Sequence, residues 1–111
     1  MKIDNKVVLL DLWGKELTAS ETEMLTLGMA LAGIILSAEG TNRMKMYNLA
    51  QKFYNDESTT IDSSDFEMIK SAIEGTKIYN TLVAWQLLDI LLKIKNKEEA
   101  NPPKEVEEGK K

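Results

Sequence analysis

The second half of the chain is patterned with a helical period. In "RMKMYNLAQKFYN", residues 43–55, Met46, Leu49, Ala50 and Phe53 fall at i, i+3, i+4 and i+7, while Lys45, Asn48 and Lys52 lie away from them. That spacing lays one apolar stripe along an amphipathic α-helix. "IDSSDFEMIKSAIEG" repeats the pattern with Phe66, Ile69 and Ile73. Asp62 marks its start as a helix cap, with Asp65 at the third helical position and Ile61 and Phe66 placed as a hydrophobic staple. Gly75 is positioned to end it in a left-handed turn.

The first half is more apolar and less periodic. Val7 to Leu10 favour extended structure, and Trp13-Gly14 supplies a break, so a β-hairpin or a short strand and turn is predicted here. "SETE" predicts a helix start, with Ser20 as cap and Glu23 three residues on. From Met24 to Leu36 only Thr26 is clearly polar. Gly28 and Gly33 lie inside this run, and each costs about 1 kcal/mol against alanine in a helix interior. Gly28 shares a face with Ala32, which predicts close approach of another helix, and the segment should end near Gly40. No internal repeat of useful length is evident.

The last helix, predicted over 77–95, poses the main question of the sequence. On a helical wheel Tyr79, Val83, Leu87, Ile90 and Ile94 gather on one side and Ile78, Trp85, Leu88 and Leu92 on the other, with Gln86, Asp89 and Lys93 as a polar seam. A surface helix ordinarily carries a single stripe. Two apolar sides mean either a helix sandwiched within its own domain or one shared with a partner. Tyr79, Trp85, Leu88 and Leu92 are the candidate contact residues, with Trp85 as anchor because aromatics dominate interface energetics. Trp13, at the tip of the predicted hairpin, is the second candidate; it either caps the core or is offered to a partner. The fold class expected is mainly α: a small four-helix domain over residues 1–96 with a short N-terminal β-hairpin. A charged, disordered tail over 97–111 would follow it.

Composition narrows the function. A chain of 111 residues supports one domain. It contains neither cysteine nor histidine, which removes thiol chemistry, the usual general base near neutral pH and the commonest metal ligand. Carboxylate pairs such as Asp62 with Asp65 or Glu21 with Glu23 have capping or surface explanations, so no enzymatic activity is expected. No cofactor, metal or small-molecule ligand is implied. Asp56, Ser58, Thr60, Asp62, Ser64 and Glu67 follow the ligand spacing of a calcium loop, but Ile61 replaces the glycine that such a loop needs. The net charge of −4 disfavours nucleic acid; the relevant basic face would be Lys45, Asn48 and Lys52 with Tyr47 nearby. The longest uncharged stretch, Met24 to Ala38, is too short for a spanning helix, and the N-terminus lacks a signal-peptide pattern. A cytoplasmic protein is expected.

Together, "LLDLWGKEL", "LTLGMAL", "KMYNLAQKFYN", "TIDSSDFEMIKSAI" and "LVAWQLLDIL" resemble small accessory proteins encoded by tailed bacteriophages and prophages. The likeness covers roughly residues 7–92. It implies a phage or prophage origin and an accessory role. Together with the two-sided last helix, the expected function is a non-enzymatic protein–protein interaction module, with a homodimer through the last helix as one form of it. Alternatives are an inhibitor of a host defence protein and a small nucleic-acid-associated regulator. The resemblance implies no catalytic or binding residues.

Overall fold

The computed structural model describes residues 1–38 and 42–100. Strand β1 (Lys2–Asp4) is followed by helices α1 (Leu27–Ser37) and α2 (Arg43–Asn55), strand β2 (Ser58–Thr60), and helices α3 (Ser63–Glu74) and α4 (Thr81–Ala100). The fold is mainly α, with four helices, as the periodicity predicts. The two strands pair antiparallel, Ile3 opposite Thr59, so the chain's start is bound to the link between α2 and α3. That link reads as polar spacer in the sequence, and β2 is visible only through its partner.

The core is built on α1. Leu27, Ala30, Leu31, Ile34 and Ile35 are almost wholly enclosed, and α1 packs against both α2 and α3. The predicted stripes are the buried ones: Met46, Leu49, Ala50 and Phe53 on α2, and Phe66, Ile69 and Ile73 on α3. Asp62 and Asp65 form the expected reciprocal capping box, and Ile61 and Phe66 are both buried. Gly75 ends α3 at φ −98°, not in the left-handed region, because Thr76 folds back by donating to the Ile73 carbonyl. Helix α4 lies against α3 and β1, where Lys95 places its ammonium 4.8 Å from the centre of the Phe66 ring.

Residues 7–26 depart most from expectation. Ser20 does not cap a helix. Ala19 and Ser20 both donate to the Glu23 carbonyl in a tight turn, and α1 begins seven residues later, capped by Thr26, whose hydroxyl accepts from the Met29 N–H. The intervening chain is consumed by a closed ring of three backbone hydrogen bonds. Leu9 donates to Leu25 (2.9 Å), Leu25 to Leu17 (2.8 Å) and Leu17 to Leu9 (2.9 Å). Three antiparallel bridges, Val8–Thr26, Leu10–Glu16 and Thr18–Met24, leave the ring in three directions. Two arms project, with tips at 11–15 and 19–23. The third joins the body, where Leu27 donates to Val7 and Gly28 to Asn5. The leucines recur every eight residues, so the segment does contain a short repeat. The predicted N-terminal hairpin is its first arm, with Gly14 at φ +85°, a left-handed conformation that glycine adopts without strain.

At Gly28 the predicted close approach is real. A Cβ there would collide with the Phe53 carbonyl oxygen of α2 and stand 2.7 Å from Asn5 Cβ. Asn5 is buried, and its Nδ2 faces Thr59 Oγ1 (2.8 Å), the Asp56 carbonyl (3.2 Å) and the Lys52 carbonyl (3.4 Å). It thereby caps the C-terminus of α2. The other end of the molecule also differs from expectation: α4 runs to Ala100, so residues 97–100 continue the helix. Glu98 accepts from the Lys2 N–H at 3.2 Å and ties this last turn to β1. The rest of the predicted tail, 101–111, lies outside the described residues.

Gly28→Ala should destabilise the protein despite alanine's better helix propensity, because the obstruction is backbone and cannot rotate away. The expected loss is about 2 kcal/mol, seen as a fall in melting temperature of roughly 10 °C for a domain of this size. Gly33→Ala, whose Cβ would meet only ordinary contacts beyond 3.4 Å, should match or exceed wild type.

Candidate interaction surface

The link from α3 to α4 fixes the region that the sequence singled out. Thr76 Oγ1 accepts from the Ile78 N–H, and Asn80 caps α4 by accepting from the Val83 N–H at 3.1 Å. Helix α4 therefore starts at Thr81, and Ile78 and Tyr79 belong to the link rather than to its wheel. Tyr79 is half-buried, its hydroxyl directed toward α1 at Gly33, and burial raises its pKa.

The predicted contact residues divide. Leu88 is 4 % exposed and belongs to the core with Val83, Leu87 and Leu91, so only its edge reaches the surface. The reason is angular: Leu88 lies next to the Leu87–Leu91–Ala84 arc rather than opposite it, and α3 covers that flank. Trp85 is 62 % exposed. Leu92, two turns further along the same side, is half-buried. The outward apolar side of α4 is therefore Trp85 with the edge of Leu92. A cavity of about 220 Å³ opens beside Trp85, lined by Ile73, Tyr79, Asn80, Ala84 and Leu88. Three of the five candidates, Tyr79, Trp85 and Leu88, thus meet at one hollow, with Leu88 as its floor.

Trp13 is not part of this hollow. It stands at the tip of the first arm, 83 % exposed beside an equally exposed Leu12, so it does not cap the core. The tip is shaped by Asp11, whose carboxylate accepts from the Trp13 and Lys15 N–H groups at 2.9 Å each. Its orientation comes from Gln86, which the sequence marks only as part of a polar seam. The Gln86 carboxamide accepts from the Leu10 N–H at 2.8 Å and donates to the Leu10 carbonyl at 2.7 Å. One side chain thus satisfies both outward backbone groups of a strand residue, as a neighbouring strand would, and locks the arm to α4 next to Trp85.

The basic face considered for nucleic acid is partly committed elsewhere. Lys45 Nζ lies 2.8 Å from Asp65 Oδ1. The Asp65 hydrogen bond and then its charge raise the lysine pKa. Burial pushes the Asp65 carboxyl upward, but the bonds from Lys45 and Asp62 and the Lys45 charge outweigh it, so its pKa is lowered. A larger cavity of about 710 Å³ lies between the end of α1 and α3, walled by Ile34, Met46, Met68 and Ala72; Lys77 is the one ionisable side chain among its described lining residues. It offers no acid–base pair. Among the described residues, no cluster of three carboxylates is arranged to hold a metal, and no helix is long and apolar enough to cross a membrane. In the segment tested as a calcium loop, Ser58–Thr60 forms β2 and Asp62 and Asp65 cap α3.

Two outcomes follow. Gln86→Ala should cost about 1 kcal/mol and accelerate amide exchange at Leu10 and Asp11 while leaving α1 protected. Asp65→Asn should lower stability by a similar amount near neutral pH. The aspartate's folded pKa is depressed, so its contribution is present above the ordinary aspartate value of about 4 and disappears as pH falls through the folded value. Urea midpoints of the two proteins should therefore differ at pH 7 and converge below pH 4. Family models, curated proteins and solved structures contain no match to this chain.

Proposed function

We propose that the protein is a non-enzymatic protein–protein interaction module whose partner contact is centred on Trp85 and the hollow beside it. The observation that carries this reading is the exposure of Trp85 on a helix whose opposite side buries Val83, Leu87 and Leu91. A large aromatic that contributes little to its own core, above a concave surface floored by Leu88 and edged by Tyr79, has the composition of an interface anchor. The contact needs no chemistry from the chain, and the absence of histidine and cysteine costs it nothing. The resemblance to small phage accessory proteins points to a host or phage protein as the partner, with a host defence protein as one such target.

Trp85→Glu tests it. Because the side chain is mostly outside the core, the variant should keep its helical circular dichroism and lie within about 0.5 kcal/mol of wild type. It should bind a partner recovered with the wild-type protein at least about 30-fold more weakly, as a loss of 2 kcal/mol or more requires. Leu88→Glu, by contrast, should unfold the domain. Equal partner affinity for wild type and a folded Trp85→Glu variant would remove the proposal.

A further inference from the structure

The two projecting arms and the outward face of α2 are complementary in charge and alike in apolar content. Residues 11–24 carry Asp11, Glu16, Glu21 and Glu23 against Lys15, a net −3, and residues 12–16 and 18–24 are exposed throughout. Leu12 and Trp13 stand at one tip, and Met24 is exposed at the base of the other. Residues 43–55 carry Arg43, Lys45 and Lys52 and no acid, a net +3 in a chain of net −4. On that helix Met44 is 76 % exposed, and Tyr47 and Tyr54 present more than half their surface, with Gln51 bonded to the Tyr47 hydroxyl between them. Lys45 is held by Asp65, whereas Arg43 and Lys52 form no ion pair among the described residues.

We infer that α2 is the docking face for the arms of a second copy of this chain. The dimensions agree. Thirteen helical residues span about 20 Å. Four residues of extended chain carry each arm tip about 13 Å from the leucine ring, a reach comparable with the length of the helix. Opposite charges at the rim orient the encounter, and Leu12 and Trp13 supply apolar area to set against Met44, Tyr47 and Tyr54. The contact pairs different patches on the two copies. Few large apolar side chains are on offer on either side, fewer than a standard interface of roughly 1,600 Å² engages, so a dissociation constant in the micromolar range or weaker is expected. The contact uses neither Trp85 nor the hollow on α4 and is independent of the function proposed above.

Charge exchange decides it. Light scattering of the wild type over a concentration series should show association at 0.1 M salt that falls by tenfold or more at 1 M, where the screening length shrinks from about 10 Å to about 3 Å. Arg43→Glu with Lys52→Glu should be monomeric, and so should Glu16→Lys with Glu21→Lys. All four positions are exposed, so both variants should remain folded by circular dichroism. An equimolar mixture of the two variants should associate again, because each then offers the patch the other lacks. Trp85→Glu should associate as wild type does. A monomeric wild type at millimolar concentration and 0.1 M salt overturns the inference. So does a folded pair of reversal variants whose mixture stays monomeric, or loss of association on Trp85→Glu.

Discussion

Where β1 hands over to the arms, the Asn5 side chain, the Gly28 amide and the Phe53 carbonyl converge within a few ångströms. Three elements distant in sequence are fixed there by backbone. The Asn5 carbonyl takes the Gly28 N–H, its amide takes the last carbonyls of α2, and the missing Cβ of Gly28 lets α2 close down. This contact also brings the N-terminal end of α1 against the C-terminal end of α2, where the partial charges of the two helices are opposite. The arrangement carries a cost, since Asn5 Oδ1 is buried with no hydrogen-bond partner among the described residues, a loss of about 1–3 kcal/mol for such a group. The core assembled around α1 outweighs it.

The leucine ring follows from the same junction. The third arm is the stretch that leads into Asn5 and Gly28, so the other two must radiate away from the body. Their pairing uses backbone groups, and only Leu9 and Leu25 of the ring are buried. Side chains on the arms are therefore left unconstrained by folding, which is why Leu12 and Trp13 can remain in solvent without loss of the structure. Gln86 ties this unit to α4 through the Leu10 backbone. Its role explains the polar seam of that helix: one of its three residues pairs with backbone, and Asp89 and Lys93 pair with each other at 2.9 Å.

The legible parts of the fold were those in which neighbouring residues determine the outcome. The stripes of α2 and α3, the Asp62–Asp65 box and the tight approach at Gly28 depend on spacing within one helix or on the steric demand of a single position. The arms were hidden because "SETE" satisfies a local capping rule, while the bonds that replace the early helix start join Leu9, Leu17 and Leu25, which lie eight and sixteen residues apart. The eight-residue leucine spacing was the available signal, together with the recurring Leu-Thr at 17–18 and 25–26. Strand β2 and Asn5 were illegible for a different reason, since each is defined by a partner more than fifty residues away. On α4 the wheel grouped Trp85 with Leu88, of which the first is exposed and the second buried. A wheel orders residues by angle, whereas α3 decides how wide the buried arc becomes.

Among the described residues, the charges of α2 also separate into two that stabilise the fold and one that forms no ion pair. Lys45 neutralises a buried carboxylate, and Lys52 sits in the last turn, where a cation complements the helix's partial negative charge. Arg43 occupies the first turn, where a positive charge opposes the helix by a few tenths of a kcal/mol, and no acid shares that turn. Asn42 alone supplies the cap, accepting from the Lys45 N–H at 3.1 Å. Within the described structure Arg43 thus opposes its own helix and pairs with nothing, beside a methionine left in solvent. A residue that weakens the monomer gains a physical rationale when its energetic return comes from a surface the monomer does not contain.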